Sequence, residues 1–513
     1  MSTTAPPLPG GEADDLASEL AAAFERHARH GRVALLDDGE TLTYGDLGCR
    51  VERAAAGLRA LAPEGAVTFG LLAGKGIPLA VAVLGALRAG HCVCVLDPRL
   101  SPQAAAGRAA EFGIGRLLAD AAHFPGAPPA AGPPWDLLDT VLAEGREAPA
   151  PRPTAEPEAP ALLLFTSGST GAPKGIRLTR RNLCANARGV AEHTGLTPSD
   201  RLLHLMPMHH TNGVNNQLLA PLLAGASVAF VPRFRAAEVE EQIRRFEPSV
   251  LTGVPTMYLR MLPHLRPGAA RAALRMLRCG SAPLTEAQHD QIEAAFGVPL
   301  VQSYGLSEAT CTTAMNPPHA IRRGTVGTVL PGQEVRLLSP ATGRDVPTGA
   351  EGEICIGGPT VMTGYVGDAG PEGPVRDGLL HTGDLGTLDA DGYLTVTGRL
   401  KDVIIRGGEN LAPRDIETAL TEHPGITEAA VVGAPHHDLG EVPVAYVVCP
   451  GPGAPAAQVL REHVMRRLTR IHAPESVEYL EALPVNGVGK IDKKALRERA
   501  ARRGADAGPP AHT

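Results

Sequence analysis

The run Phe165-Thr-Ser-Gly-Ser-Thr-Gly-Ala-Pro-Lys-Gly175 directly follows the apolar stretch 161–164, and its residue types suit the binding of polyphosphate. Gly168, Gly171 and Gly175 permit positive φ and close backbone approach, Ser167, Ser169 and Thr170 can donate hydrogen bonds, and Lys174 supplies a point charge. The same composition describes an ordinary surface loop between periodic segments. It is not a Walker loop, because Pro173 stands where a glycine precedes the lysine and Gly175 where a Ser/Thr binds magnesium. Any metal is then held by another segment.

Ser303-Tyr-Gly-Leu-Ser-Glu-Ala309 is a second cluster, placed just after a strand, where α/β proteins present groups to ligands. Glu308 is a hard oxygen donor suited to Mg²⁺, and Tyr304 offers a planar face to a purine; a tyrosine beside a glycine also serves simply as packing at a turn. Third comes Thr382-Gly-Asp384, followed by Gly398-Arg-Leu-Lys-Asp402 and Gly407-Gly-Glu-Asn410. An aspartate can accept both ribose hydroxyls, and a nearby arginine can contact ribose or phosphate, although a turn aspartate and a surface arginine have the same appearance. Fourth is Pro484-Val-Asn-Gly-Val-Gly-Lys-Ile-Asp-Lys493, a lysine preceded by a Gly-Val-Gly run in which nothing local distinguishes Lys490 from a solvated side chain.

These segments need elements to position them, and short apolar strands alternating with helical segments supply an α/β layering. Ser249-Val-Leu-Thr252 leads into a helix over 255–265, and a helix over 284–296 leads into a strand over 299–303. After about residue 350 the texture turns to β-hairpins at 352–357, 379–388 and 392–398. From Asp402 an α+β unit follows, with helices at 413–422 and 456–468 and strands at 429–433 and 442–448. The Pro- and Ala-rich stretch 124–160 around Trp135 reads as a surface connection. With 513 residues, 43% of them hydrophobic, the chain is long enough for two or more domains.

A net charge of −7 gives no reason to expect nucleic acid. The eight cysteines are scattered without CxxC pairing, which fits reduced thiols in the cytoplasm. The N-terminus lacks the basic flank and apolar core of a signal peptide, and no stretch is long and apolar enough to span a bilayer. A cytoplasmic monomer or homodimer without membrane partners is the expectation.

In their order and spread, from Phe165 to Lys490, the four segments resemble the adenylate-forming superfamily, which includes acyl-CoA synthetases, stand-alone adenylation domains and beetle luciferases. Leu42-Thr-Tyr-Gly-Asp-Leu47 and the stretch 89–98 resemble the family's early motifs. The resemblance implies a large N-terminal domain of α/β layers and a β-rich subdomain over 1–399, a hinge at 400–402 containing Lys401, and a small mobile α+β domain over 403–513. It implies that Thr166, Ser167, Gly168, Ser169, Thr170, Gly171 and Lys174 hold the phosphates of ATP, and that Tyr304 and Gly305 receive adenine. Ser307 then touches phosphate, Glu308 binds Mg²⁺, and Asp384 and Arg399 bind the ribose. Lys490 bridges the substrate carboxylate and the nucleotide during adenylation, and Gly407, Gly408 and Asn410 serve the thiol step.

The segment Leu205-Met-Pro-Met-His-His-Thr-Asn-Gly213 corresponds to the family's acyl-pocket motif, with His210, Asn212 and Gly213 lining the pocket beside Gly280, Ser281 and Ala282. His204, His209 and His210 lack HExxH spacing and an accompanying carboxylate, which argues against zinc. Amino-acid-activating relatives typically carry an aspartate where His210 stands. An imidazole there leaves an ammonium without its charge partner, so a carboxylic acid without an α-amine is expected, with CoA as acceptor. A ligase loading a separate carrier protein, and a homologue performing one half-reaction, are the alternatives. The stand-alone architecture and GC-rich style of composition suggest a role in bacterial secondary metabolism. One departure from the family pattern is Arg180, where relatives usually have histidine.

Overall fold

The structure is a computed structural model, and it describes residues 15–124, 132–143, 156–167, 173–266, 273–366, 373–407, 409–436, 438–451, 453–485 and 491–506. The chain divides into two compact units, one of residues 1–335 and 355–381 and the other of 336–354 and 382–513. The expected α/β layering is present in the first and an α+β arrangement in the second.

Two sheets organise the first unit. The larger has nine strands in the order Thr328–Val329, Ala314–Met315, Leu300–Tyr304, Met276–Cys279, Val250–Gly253, Arg201–His204, Ser227–Phe230, Val33–Leu36 and Thr41–Thr43. The other has seven, in the order Tyr365–Val366, Pro173–Thr179, Pro160–Ser167, Cys92–Val95, Thr68–Leu72, Arg116–Ala119 and Trp135–Leu137. Central strands such as Cys92–Val95 are buried at every position, as continuous apolar runs in parallel sheets must be, since both faces are covered.

Local chemistry explains the helices. The early motif around Tyr44 is a helix start: Tyr44–Leu61 opens on a reciprocal capping box between Thr43 and Asp46. That helix packs closely on Ile77–Arg88, where a Cβ added to Gly85 would lie 2.6 Å from Ala54 Cβ, so glycine permits the approach. Sequence expectations for 284–296 and 299–303 appear as the helix Glu286–Phe296, ended by Gly297 in the left-handed region, and the strand Leu300–Tyr304.

The stretch around Trp135 departs from expectation. Trp135–Leu137 is an edge strand paired in parallel with Arg116–Ala119, and the helix Leu138–Ala143 follows it. Trp135 packs against the core containing Phe112 and Leu117. The segment therefore finishes a sheet, a role that a single short strand amid Pro and Ala did not reveal.

Arg180, the first residue of the helix Arg180–His193, is 1% exposed. Its Nε donates to Asp15 Oδ1 at 3.2 Å and its Nη2 to the Leu87 carbonyl at 2.7 Å. Asp15 also caps the helix Leu16–Ala28. The departure at Arg180 thus ties three helices of the first unit together.

In the second unit a sheet of Glu409–Leu411, Ile404–Arg406, Gly440–Val448 and Glu428–His436, with Ser476–Tyr479 beside Gly440–Val448, carries the helices Pro413–Thr421, Ala457–Arg467 and Lys493–Asp506. Among the described residues no helix is long and apolar enough to cross a membrane.

Candidate active site

Lys174 lies on the strand Pro173–Thr179, antiparallel to Pro160–Ser167 with Thr166 opposite Lys174. Gly175 next to it lets the ring of Phe112 approach, since an added Cβ would meet that ring at 2.8 Å. On the other side the short strand Tyr365–Val366 pairs with Ile176 and Gly175. This brings the Tyr365 ring under the lysine, with Nζ 4.6 Å from the ring centroid, in cation–π range.

The Tyr365 hydroxyl donates to Glu308 Oε1 at 2.8 Å, so Lys174 and Glu308 are held against one tyrosine. Glu308 sits in a single 3₁₀ turn, Ser307–Ala309, and its carbonyl accepts from Met362 N at 2.9 Å. The turn is sharply bent: Thr310 and Cys311 have φ of 59° and 101°, costing on the order of 1–3 kcal/mol each. Thr310 Oγ1 anchors the bend by donating to the Thr360 carbonyl at 2.6 Å. Gly305 is required for it, because an added Cβ would lie 1.8 Å from the Cys311 carbonyl oxygen. Tyr304, half-buried, ends the strand leading into this turn.

The histidine motif opens a π-helical segment, Asn212–Leu219, a form often found at functional sites. Thr211 Oγ1 lies 3.4 Å from Ser307 Oγ, joining this segment to the Glu308 turn. Gly213 lets the chain fold back on Pro207, whose carbonyl oxygen an added Cβ would meet at 2.2 Å. Burial brings the His204 imidazole down to about 3, so the ring is neutral. Its Nε2 then donates to the Gly213 carbonyl at 2.8 Å. The rings of His209 and His210 are 4.4 Å apart, and His209 Nε2 is 4.0 Å from Asp97 Oδ2. Burial alone would raise the Asp97 carboxyl, but hydrogen bonds from Arg99 and the neighbouring His209 hold it at about 2. Gly280 follows the strand Met276–Cys279 and packs on Ser303, whose Oγ an added Cβ would meet at 2.5 Å; Ser281 has φ of 71°, and Ala282 comes next in the chain.

Several participants were missed by the sequence reading. Tyr365 stands alone among turn residues, with no spacing signal. Lys75, on a loop 129 residues from His204, donates to the carbonyls of His204 and Leu205 at 2.8 and 3.0 Å, and burial brings its ammonium down to about 7.

In the second unit Asp384 and Arg399 face each other across a hairpin. Arg399 Nε lies 2.6 Å from Asp384 Oδ1, with the aspartate buried and the arginine half exposed. The Asp384 amide donates to Thr382 Oγ1 at 3.0 Å, fixing the turn. Lys401 is exposed in the turn Leu400–Asp402, and Gly407 has φ of 59° with its amide donating to the Leu439 carbonyl at 2.7 Å. Gly168, Ser169, Thr170, Gly171, Gly408 and Lys490 lie outside the described residues, as do the side chains of Ser167 and Asn410.

A family model described as AMP-binding enzyme matches residues 23–366, and one described as AMP-binding enzyme C-terminal domain matches 415–490. The chain is 40% identical to a sulfoacetate–CoA ligase of Cupriavidus necator over 366 residues, covering 70% of this chain and 71% of that protein. It is 35% identical to an indoleacetate–CoA ligase of Aromatoleum aromaticum, covering 94% and 99%. Among solved structures, ATP-bound MatB from Rhodopseudomonas palustris superposes with a TM-score of 0.87 at 29% identity, covering 94% of this chain and 98% of that one.

Proposed function

The chain belongs to the AMP-binding enzyme family, and on that footing we propose that it is an AMP-forming acid–thiol ligase. It joins a carboxylic acid lacking an α-amine to ATP, giving an acyl-adenylate and pyrophosphate, and then transfers the acyl group to CoA with release of AMP. The observation that carries this reading is the Lys174–Tyr365–Glu308 assembly, in which segments far apart in sequence bring a cation and a carboxylate to one place.

Each group has a role in the first step, in which the acid's carboxylate oxygen attacks the α-phosphorus and the bond to pyrophosphate breaks. Lys174, with Thr166 and the hydroxyls of Ser167, Ser169 and Thr170, stabilises charge on the departing pyrophosphate. Tyr304 stacks on adenine, and Ser307 donates to phosphate. Asp384, braced by Arg399, accepts from the ribose hydroxyls. His210, Asn212, Gly213, Gly280, Ser281 and Ala282 surround the acid, and Lys490 bridges it to the nucleotide. A magnesium ion fits Glu308: the residue offers a hard carboxylate with Oε1 oriented by Tyr365, leaving Oε2 for the cation. When bound, that ion neutralises phosphate charge.

For the second step the CoA thiolate attacks the acyl carbon and AMP leaves. Lys401 is the hinge for presenting Gly407, Gly408 and Asn410 at this stage.

The test is mass-spectrometric detection of acyl-adenylate and acyl-CoA from a panel of acids with ATP, Mg²⁺ and CoA, in wild type and Lys490→Ala. Acyl-CoA from wild type, lost in the variant and restored by preformed adenylate, is expected. Adenylate that never reaches CoA would replace the acceptor with a carrier protein, and activity solely on preformed adenylate would reduce the enzyme to the second half-reaction.

A further inference from the structure

Arg278, inside the strand Met276–Cys279, is a buried charge without a partner among the described residues. It is 1% exposed, and none of Nε, Nη1 and Nη2 has a hydrogen-bond partner among the described residues. After burial itself, the groups that weigh on its charge are the Cys311 thiol, the Tyr258 phenol and the like charge of Arg275. Tyr258 already donates to the carbonyls of Leu251 and Arg278, at 3.1 and 2.9 Å. Arg275 is committed to Asp200 at 2.7 Å. A guanidinium keeps its proton in a protein, and an uncompensated one is strongly unfavourable in the interior. Arg278 calls for an anion from outside the chain.

Its place in the sheet says which anion. Strand register sets Arg278 between Thr252 and Val301, and the pairing of Val250 and Leu251 with Leu202 and Leu203 extends the row to His204. Side chains alternate along strands, so His204, Thr252 and Arg278 share one face. His204 is bonded to Gly213 at the start of the π-helical segment, and Cys311, which feels the Arg278 charge, lies beside Thr211 and Asn212. Thr252 Oγ1 is likewise buried with no partner among the described residues. The guanidinium and this hydroxyl therefore lie under the segment that carries His210, Asn212 and Gly213, two residues before Gly280.

We propose that Arg278 is a specificity-determining residue that binds a second anionic group, a carboxylate or sulfonate, at the end of the acid substrate away from the reacting carboxylate. The planar guanidinium fork matches such a group through two parallel hydrogen bonds, and the Thr252 hydroxyl supplies another donor. This rests on the acid-activating reading above and narrows its substrate to acids that are dianionic. Neutral-ended acids of the same length leave the guanidinium buried and uncompensated, so they are rejected.

The test compares length-matched acids of about two to six carbons, one ending in carboxylate or sulfonate and its partner ending in methyl. Initial rates of pyrophosphate release and acyl-CoA formation are measured for wild type, Arg278→Met and Arg278→Lys. Wild type is expected to favour the dianion in kcat/KM by roughly 10²-fold or more at its best length, mostly through KM. Arg278→Met loses that preference and Arg278→Lys keeps part of it. Should Arg278→Met fail to fold, the wild-type comparison and Arg278→Lys carry the test, since an absent preference in wild type or an undiminished one in Arg278→Lys overturns the assignment. Turnover of methyl-ended acids with no preference for dianions would overturn this assignment while leaving the ligase reading intact, and so would a preference that survives Arg278→Met. Sulfate or phosphate that accelerates methyl-ended acids in wild type, but not in Arg278→Met, would make the ligand an inorganic anion and overturn the substrate assignment. No pyrophosphate release with either kind of acid would overturn the ligase reading itself.

Discussion

Tyr365 donates its phenolic hydrogen to Glu308 Oε1 at 2.8 Å while its ring faces Lys174 Nζ at 4.6 Å. One aromatic side chain therefore orients the carboxylate assigned to the metal and backs the cation assigned to phosphate. Removing the hydroxyl in Tyr365→Phe takes away the donor but keeps the ring. We expect pyrophosphate release to fall by roughly 10-fold, partly recovered at raised Mg²⁺, since one charge-assisted hydrogen bond is worth about 1.5–3 kcal/mol. Lys174→Ala should lose on the order of 10²-fold with no such recovery. A Mg²⁺ titration of both variants separates the effects, and an unchanged magnesium dependence in Tyr365→Phe would remove Glu308 from the metal.

Gly305 gives a sharper test of the same turn. An alanine Cβ there would stand 1.8 Å from the Cys311 carbonyl oxygen, a separation that forces backbone to move. Tyr304, Ser307 and Glu308 flank the position, so Gly305→Ala is expected to weaken ATP binding and adenylation together by 10²-fold or more. Nucleotide binding followed by calorimetry checks this, with circular dichroism to establish that the variant has folded.

The buried pair of Asp15 and Arg180 predicts an effect on stability. Burial alone would raise the Asp15 carboxyl, but the Ser18 side chain and the Arg180 charge bring it below its usual value. A carboxyl lowered in the folded state contributes stability above its unfolded pKa of about 3.9, and that contribution fades as pH falls through the folded value. Asp15→Ala strands the guanidinium in the interior and should cost about 3–5 kcal/mol at neutral pH. Arg180→Met, which removes the charge and keeps the bulk, should cost less. Urea unfolding at pH 7 and in acid tests the order, and the difference between wild type and Asp15→Ala should shrink in acid.

Sequence legibility followed the physics of each signal. Glycine, hydroxyl and lysine at fixed spacing singled out the segments of Lys174 and Glu308, because phosphate binding and tight turns dictate those residue types locally, although the run read as a loop carries Lys174 on the strand Pro173–Thr179. The helix over 284–296 and the strand after it were likewise visible from the alternation of short apolar strands with helical segments. Tyr365, Lys75 and Arg278 were not. Their significance lies in long-range pairing: Tyr365 meets Glu308 across 57 positions and Lys75 meets the His204 carbonyl across 129. Trp135 was misjudged for a related reason, since a three-residue edge strand gains its identity from the neighbour it pairs with.

Lys75 carries the last prediction. Its ammonium donates to the carbonyls of His204 and Leu205, yet burial brings it from 10.5 down to about 7. The sign follows from proton binding: between pH 7 and about 10 the unfolded chain holds the Lys75 proton and the folded chain releases it. The unfolded state thus binds more protons over that range, and this residue's contribution to stability rises with pH. Below pH 7 both states are protonated and the full cost of the buried charge is borne. In Lys75→Met, which keeps an unbranched apolar stem, that dependence disappears. The stability of wild type relative to the variant is expected to climb between pH 7 and 9 by up to about 1.4 kcal/mol per unit. Denaturant midpoints for the two proteins, measured side by side at pH 7, 8 and 9, read the slope directly. A difference that stays flat over this range would mean that the lysine keeps its proton in the fold, with the two carbonyls holding it as a cation beneath the histidine segment.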